Sequence, residues 1–309
     1  MTLKTYSHLA AAERVPSEYE LVTTGLLYYP DRGFEVRVPL SDWYARHQTG
    51  SPFRGARWER FRDPRETTYA RYTALQCARE QHVDGVLRSI DSSAYDRELP
   101  RAAVELFERA VAPLRFALHG FQMAAAYVGQ MAPSGRITVP CAFQAADEMR
   151  RIQRIAYRLA QLRRQWPGLG DRSRESWQEE PALQPLRRLV EKLLVAWDWG
   201  EAFAALCLCA KPLLDALWMR ELPALLRAGG DYLWGEISFS LWEDCLWHHR
   251  WARALAQTAV EDRAENGAAL SAWSATWMPA AVEAARAYGT LLGSEGAAAA
   301  GRSSVEVST

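Results

Sequence analysis

Residues Trp197 to Leu213 read WDWGEAFAALCLCAKPL, an apolar, helix-compatible run that a folded chain must bury. It carries one acid near its start, Glu201, beside Gly200. A carboxylate in an apolar surrounding needs a partner, because an unpaired buried charge is costly. Asp198, Glu201, Lys211 and Asp215 punctuate the run. They leave no stretch of about 18 uncharged apolar residues, the length expected of a membrane span.

The rest of the chain predicts long helices around this run. Thr68, Tyr69, Tyr72, Leu75, Val83 and Val86 return at helical steps after Arg65, as an amphipathic helix requires. A turn is expected at Asp91-Ser92-Ser93, then a helix from about Pro100 to Gln130, closed by Ala-Pro-Ser-Gly at 132–135. Further helices are expected over Val139–Gln165, 185–228 with a break or kink near Pro212, 231–262 and 267–292. Residues 168–182 read as a charged loop with a short helix. No strand-like alternation and no short repeat competes with this pattern. The class is all-α, and helices this long point to a bundle whose sites are built from facing helices.

Two ends depart from the pattern. Residues 1–65 contain Pro16, Pro30, Pro39, Pro52 and Pro64 among scattered aromatics such as Tyr28, Tyr29, Trp43, Tyr44 and Trp58. Proline restrains both itself and the residue before it, so an extended, mostly irregular N-terminal arm is expected, lying on its own bundle or on a partner. The bundle itself is assigned to 66–292. The tail at 293–309 is poor in large apolar residues and is expected to be disordered.

Lys plus Arg and Asp plus Glu number 37 each. A balanced chain offers no basic footprint for nucleic acid or anionic membrane, and weak self-repulsion suits life in a complex. Five Cys without a C-x-x-C pair argue against a disulfide framework or zinc ribbon. Cys207 and Cys209 read as buried small hydrophobes. The first twenty residues lack the apolar core of a signal peptide, so a cytoplasmic location is expected.

Two more polar clusters stand beside Glu201. They are Asp147-Glu148-Met149-Arg150-Arg151 and Glu243-Asp244-Cys245-Leu246-Trp247-His248-His249. A carboxylate-bridged di-iron bundle takes one Glu from each of two helices and a Glu-x-x-His pair from each of two others. This chain has no Glu-x-x-His among its six His. The nearest equivalents put Arg151 three residues after Glu148, and Cys245 three residues before His248. A guanidinium stays protonated and cannot ligate. Glu201 is a plausible lone carboxylate, while the other ligand helix has none, since no acid occurs between Glu108 and Asp147. Glu148, Arg151, Glu201, Cys245 and His248 therefore read as degenerate ligand positions, with no catalytic, cofactor or metal residue expected. Taken singly, Glu148 and Arg151 read as a helix-surface ion pair, and His248 or His249 as a satisfied core or interface histidine. Glu201 would find its counter-charge in Arg151.

The chain resembles the β subunit of the hydroxylase component of bacterial multicomponent monooxygenases, in the toluene, alkene and isoprene branch. The resemblance is carried by TYSHL at 5–9, PSEYE at 16–20 and Trp58-x-x-Phe61-x-Asp63-Pro64. It continues through QMAAAYVGQMAP at 122–133, DWGEAF at 198–203, KPL at 211–213 and HHRWARAL at 248–255. It implies a ferritin-like bundle that has lost its ligands and supports an iron-bearing α subunit inserting one oxygen atom into an aromatic or alkene. It also implies an (αβγ)2 assembly, with the N-terminal arm reaching over neighbouring subunits. A coupling or effector protein, a Rieske ferredoxin and a reductase would serve it, with NADH, FAD and iron–sulfur clusters on the electron-transfer components. The alternatives are a di-iron enzyme in its own right, an isoprenoid synthase lacking its adjacent aspartates, or an all-α scaffold outside the oxygenases.

Overall fold

In the computed structural model, residues 16–25, 39–90 and 92–293 are described. TYSHL and the 294–309 tail lie outside them. The described residues contain helices and turns without a strand. The arm has α1 (Glu18–Gly25) and α2 (Pro39–Tyr44). The body has α3 (Tyr69–Ser89), α4 (Ser92–Glu98), α5 (Arg101–Leu106), α6 (Leu114–Met131), α7 (Gly135–Leu162) and α8 (Ser173–Glu179). It continues with α9 (Gln184–Leu193), α10 (Trp199–Phe203), α11 (Lys211–Ala216), α12 (Leu222–Ala228), α13 (Tyr232–Asp262) and α14 (Glu265–Thr290).

The starts follow ordinary capping chemistry, in which a short polar side chain accepts from the first free amides. Thr68, Ser134, Asp198 and Asp231 cap α3, α7, α10 and α13 in this way. The serine pair expected to turn at 92–93 instead opens α4.

Proline is absorbed in a way its position alone does not show. Wide π-helical turns at Phe107–Val111, Ala204–Ala210 and Leu217–Glu221 each end within two residues of Pro113, Pro212 or Pro223. A proline lacks the amide for its own i→i−4 bond, and its ring crowds the carbonyl four residues back. Shifting the preceding turn to i→i+5 spacing relieves both. The helix expected to break near Pro212 therefore runs on from Trp199 to Ala228. That stretch is long and apolar enough to cross a membrane by length and composition even with charged residues such as Lys211 and Asp215 inside it, yet its apolar window is 89% buried in the bundle.

α6 and α7 pack as an antiparallel pair at the centre. Their closeness uses Gly129, where an added Cβ would lie 2.8 Å from Cys141 Cβ. Against them stand α10–α12 and α13, with α9 and α14 closing the far side. Trp199, Trp218, Trp234, Trp247 and Trp251 are all fully buried, which accounts for much of the tryptophan content.

The described arm is more regular than expected, and residues 39–65 lie on the chain's own bundle. Trp43 Nε1 donates to Tyr127 Oη at 3.1 Å, and Gln48 Nε2 to the Met131 carbonyl at 2.9 Å. Phe53 sits among Trp58, Trp199 and Phe203. Gly200 makes room for it: a Cβ there would stand 2.4 Å from Phe53 Cβ. Trp247 Nε1 donates to Asp63 Oδ1 at 2.7 Å.

Two helices do not bury the face the sequence implies. Tyr69, expected on the apolar side of α3, is 70% exposed, and only Val83 and Leu87 of that helix are buried. α7 is inverted more thoroughly. Its charged side chains, Arg136, Asp147, Glu148, Arg150, Arg151, Arg154 and Arg158, are all buried.

Candidate functional site

The inverted face of α7 meets α11 and α13 in a closed ionic core. Lys211 Nζ lies 2.6 Å from Glu148 Oε1 and 2.9 Å from Asp215 Oδ2. Arg151 reaches Asp215 Oδ1 at 2.7 Å and also pairs with Glu148. All four side chains are 0–1% exposed. His249 Nε2 adds a contact to Asp215 Oδ2 at 3.1 Å. Two cations face two carboxylates, so the quartet is neutral as a unit, the condition under which buried charge is tolerated.

The electrostatics follow this pairing. Burial pushes the Asp215 carboxyl up, but Lys211 and Arg151 outweigh it and hold the group well below the usual range. Burial and the Arg151 charge disfavour the Lys211 ammonium, yet Asp215 and Glu148 leave it raised. Cys245 lies beside the quartet with its thiol raised chiefly by burial, which makes it inert.

A second cluster borders the first. His248 Nε2 lies 2.9 Å from Asp147 Oδ2, and Asp147 Oδ1 accepts from Tyr72 Oη at 2.7 Å and Gln76 Nε2 at 2.8 Å. Gln76 also donates to Asp244 Oδ1 at 2.9 Å, and Asp244 Oδ2 receives Arg150 at 2.7 Å. Arg79 pairs with Asp244 as well. Burial raises the Asp147 carboxyl to about 7 against the pull of Tyr72, Arg150 and Arg151. Burial, then the Lys211 and Arg151 charges, push His248 well below its ordinary value, so it is neutral.

These shifts give opposed pH slopes. Asp147 has a raised folded pKa, so its contribution is present below about pH 4 and is lost as pH rises through about 7. His248 has a lowered one, so its contribution is present above about pH 6.5 and is lost on acidification. Asp147→Asn removes the first slope alone. Denaturant unfolding at pH 6 and pH 8 should show the wild type nearly level or falling with pH. The variant should gain stability by on the order of 1 kcal/mol over the same interval. Equal pH slopes in the two proteins would refute the assignment.

Of the expected positions, the fold brings together Glu148, Arg151, Cys245 and His248, and leaves Glu201 out. Glu201 Oε1 accepts from Trp277 Nε1 at 3.0 Å, on α14. The expected Glu201–Arg151 pair is therefore wrong; Arg151 is taken by Glu148 and Asp215. Nor is Glu148–Arg151 a surface pair, since neither side chain is exposed. The sequence reading missed Lys211 and Asp215 as site residues. Their signal was there as a Lys-x-x-x-Asp pair inside an apolar run, spacing that puts both on one helix face.

The quartet does not fit a metal pair. Three of its four carboxylate oxygens are engaged by Lys211, Arg151 or His249, leaving Glu148 Oε2 without a hydrogen-bond partner. Two fixed cations occupy the space between the carboxylates, and further positive charge there would be repelled at short range. No group of three or more His, Cys, Asp or Glu with metal-binding geometry occurs among the described residues.

The model of the methane/phenol/alkene hydroxylase family matches residues 43–263. The chain is 35% identical to the β subunit of the toluene-4-monooxygenase hydroxylase component of Ectopseudomonas mendocina, over 95% of this chain and 91% of that one. It is 24% identical to the phenol 2-monooxygenase oxygenase component of Pseudomonas sp. strain CF600, over 78% and 74%. A solved structure of toluene 4-monooxygenase with toluene in its resting active site superposes with a TM-score of 0.90, at 35% identity, over 95% of this chain and 99% of that one. With the fold, the sequence and the extent of the match in agreement, the chain belongs to the methane/phenol/alkene hydroxylase family and is a hydroxylase subunit of the β type, from a multicomponent monooxygenase.

Proposed function

We propose that this chain is a non-catalytic structural subunit, which holds an iron-bearing α subunit in its working form while that partner oxidises an aromatic or alkene hydrocarbon. The observation that carries the reading is the quartet. Lys211 and Arg151 stand between Glu148 and Asp215 with hydrogen-bonding geometry and no exposure. A neutral, fully buried set of protein charges rigidifies the meeting of α7, α11 and α13 without a metal. It performs no step on substrate. Its contribution is to keep long helices straight and fixed, so that a partner's ligand helices are pre-organised against them.

The same reading places the chain in an (αβγ)2 hydroxylase in the cytoplasm. Electrons would come from NADH through the FAD and iron–sulfur reductase and a Rieske ferredoxin, with a coupling protein as a transient partner. The chain divides into an arm (1–65), the bundle (66–292) and a tail (293–309).

The test is metal content of this chain purified alone, beside the chain co-expressed with its companion hydroxylase subunits. The expected result is no iron in the isolated chain and about two irons per protomer in the complex. Stoichiometric iron in the isolated chain, lost on Glu148→Ala, would make this a catalytic subunit with unusual ligands.

A further inference from the structure

We infer that Asp147 and His248 form a buried proton-holding pair, in which removing the acid proton of Asp147 moves the ring hydrogen of His248 from Nδ1 to Nε2.

The geometry leaves the pair two states. Asp147 is fully buried, and its Oδ2 meets His248 Nε2 at 2.9 Å. That contact has room for one hydrogen, carried either by the carboxyl or by the ring. The other oxygen, Oδ1, already accepts from Tyr72 Oη at 2.7 Å and Gln76 Nε2 at 2.8 Å. The Gln76 amide cannot turn round, because the same Nε2 donates to Asp244 Oδ1, and Asp244 also receives Arg79 and Arg150. The alternative acceptor for the Tyr72 hydroxyl, the Phe143 carbonyl, lies 3.5 Å away, beyond a good O–H···O bond. With Oδ1 taken by two donors, a hydrogen on Asp147 belongs on Oδ2 and points at Nε2.

His248 has to match whichever state its partner takes. A neutral imidazole carries one ring hydrogen. When Asp147 is a carboxylic acid, Nε2 accepts and the ring hydrogen sits on Nδ1. When Asp147 is a carboxylate, Nε2 donates and Nδ1 is bare. Between the two, the Oδ2 hydrogen comes to rest on Nε2 and the Nδ1 hydrogen leaves, so one proton passes to solvent. Nδ1 has no hydrogen-bond partner that would hold it to either form. A ring protonated on both nitrogens is opposed by burial and by the Lys211 and Arg151 charges, to which His249 adds and which Asp215 does not offset.

The surroundings place this exchange near neutral pH. Burial raises the Asp147 carboxyl to about 7, with Glu148 pushing the same way and Tyr72, Arg150 and Arg151 pulling back. Arg65, ahead of α3, and Arg79, on α3, also face the carboxylate. In both states a hydrogen lies between Oδ2 and Nε2. The acid can therefore change its charge without stranding a buried donor or acceptor at that contact, which would be costly. A histidine supplies this and a lysine does not, since an ammonium only donates.

The test is ring-nitrogen NMR of the full chain carrying isotope-labelled histidine, at about pH 5.5 and about pH 8.5, on either side of the Asp147 value. The His248 signals are assigned through the Trp247 ring, 5.5 Å away between centroids. The expected result is a protonated Nδ1 at the lower pH and a protonated Nε2 at the higher. The two should exchange in one step, together with loss of a carboxylic-acid carbonyl band in the infrared. In Asp147→Asn the amide oxygen has to face Tyr72 and Gln76, so its NH2 group donates to Nε2 and the ring hydrogen should stay on Nδ1 at both pH values. One tautomer throughout in the wild type, or a ring protonated on both nitrogens at the lower pH, would overturn the inference. So would a tautomer exchange that persists in Asp147→Asn. The wild-type titration decides the matter by itself if that variant does not fold.

Discussion

Lys211→Met is expected to destabilise the protein by about 3–5 kcal/mol, the usual cost of removing one partner from a buried charge pair. The variant keeps the length of the side chain and removes its charge. It leaves Glu148 and Asp215, both fully buried, sharing the single guanidinium of Arg151. For a chain of this size the melting temperature should fall by roughly 5–8 °C. Adding Glu148→Gln restores the charge count, since Arg151 and Asp215 then remain as a neutral pair at 2.7 Å. The double variant should recover more than half of the loss, because similar-volume neutral replacements of buried ion pairs cost little. The two measurements separate charge from packing. If the double variant is no better than Lys211→Met, shape rather than charge balance holds this junction.

The pH dependence of that loss has a definite sign. Lys211 and Arg151 depress the Asp215 pKa against its burial, so the stabilisation it supplies is present above about pH 4 and is lost as pH falls below that. The raised Lys211 supplies stabilisation that is present at and below about pH 10 and is lost only above it. Between these limits Asp215 and Lys211 both keep their charge in the wild type, and the cost of Lys211→Met should be flat from about pH 5 to 9.

The helices were legible in the sequence because their periodicity and caps are local. α13 was expected at 231–262 and runs Tyr232–Asp262; α14 was expected at 267–292 and runs Glu265–Thr290. The partner of Arg151 was not legible, and the reason is geometric. Glu201 and Asp215 are fourteen residues apart (215 − 201), which in an unbroken α-helix puts them within about 40° of each other around the axis. The π-helical turn at Ala204–Ala210 lies between them. A wider turn advances less per residue, and over that length rotates the downstream helix by on the order of 100°. Glu201 thus faces Trp277 on α14 while Asp215 faces Arg151 on α7. AALCLCA is apolar on every side, so no periodic signal in the sequence marks the change.

The inversion of α7 was hidden for a related cause. Its spacing shows two faces, and the default assigns the charged one to water. Deciding otherwise needs the partners Glu80, Asp84, Asp96, Asp215 and Asp244, which come from four other helices. A single helix's sequence cannot supply them.

Asp244→Ala is expected to release α3 from the bundle without unfolding the bundle. α3 buries little apolar surface of its own, with Val83 and Leu87 as its buried residues. What seats it is polar: Tyr72 stacked on Phe143 with its hydroxyl on Asp147, Gln76 and Arg79 on Asp244, and Glu80 on Arg150 and Arg154. Asp244, fully buried on α13, ties α3 through Arg79 and α7 through Arg150. Its loss leaves Arg79 and Arg150 without that carboxylate, at a cost of about 3–5 kcal/mol. Because α3 buries only two apolar residues, it can open as a unit and relieve the penalty locally. Hydrogen exchange should then speed up by about two to three orders of magnitude across Tyr69–Ser89, with α6 and α14 near their wild-type protection. Loss of protection spread evenly over α6 and α14 would mean the latch and the core unfold together.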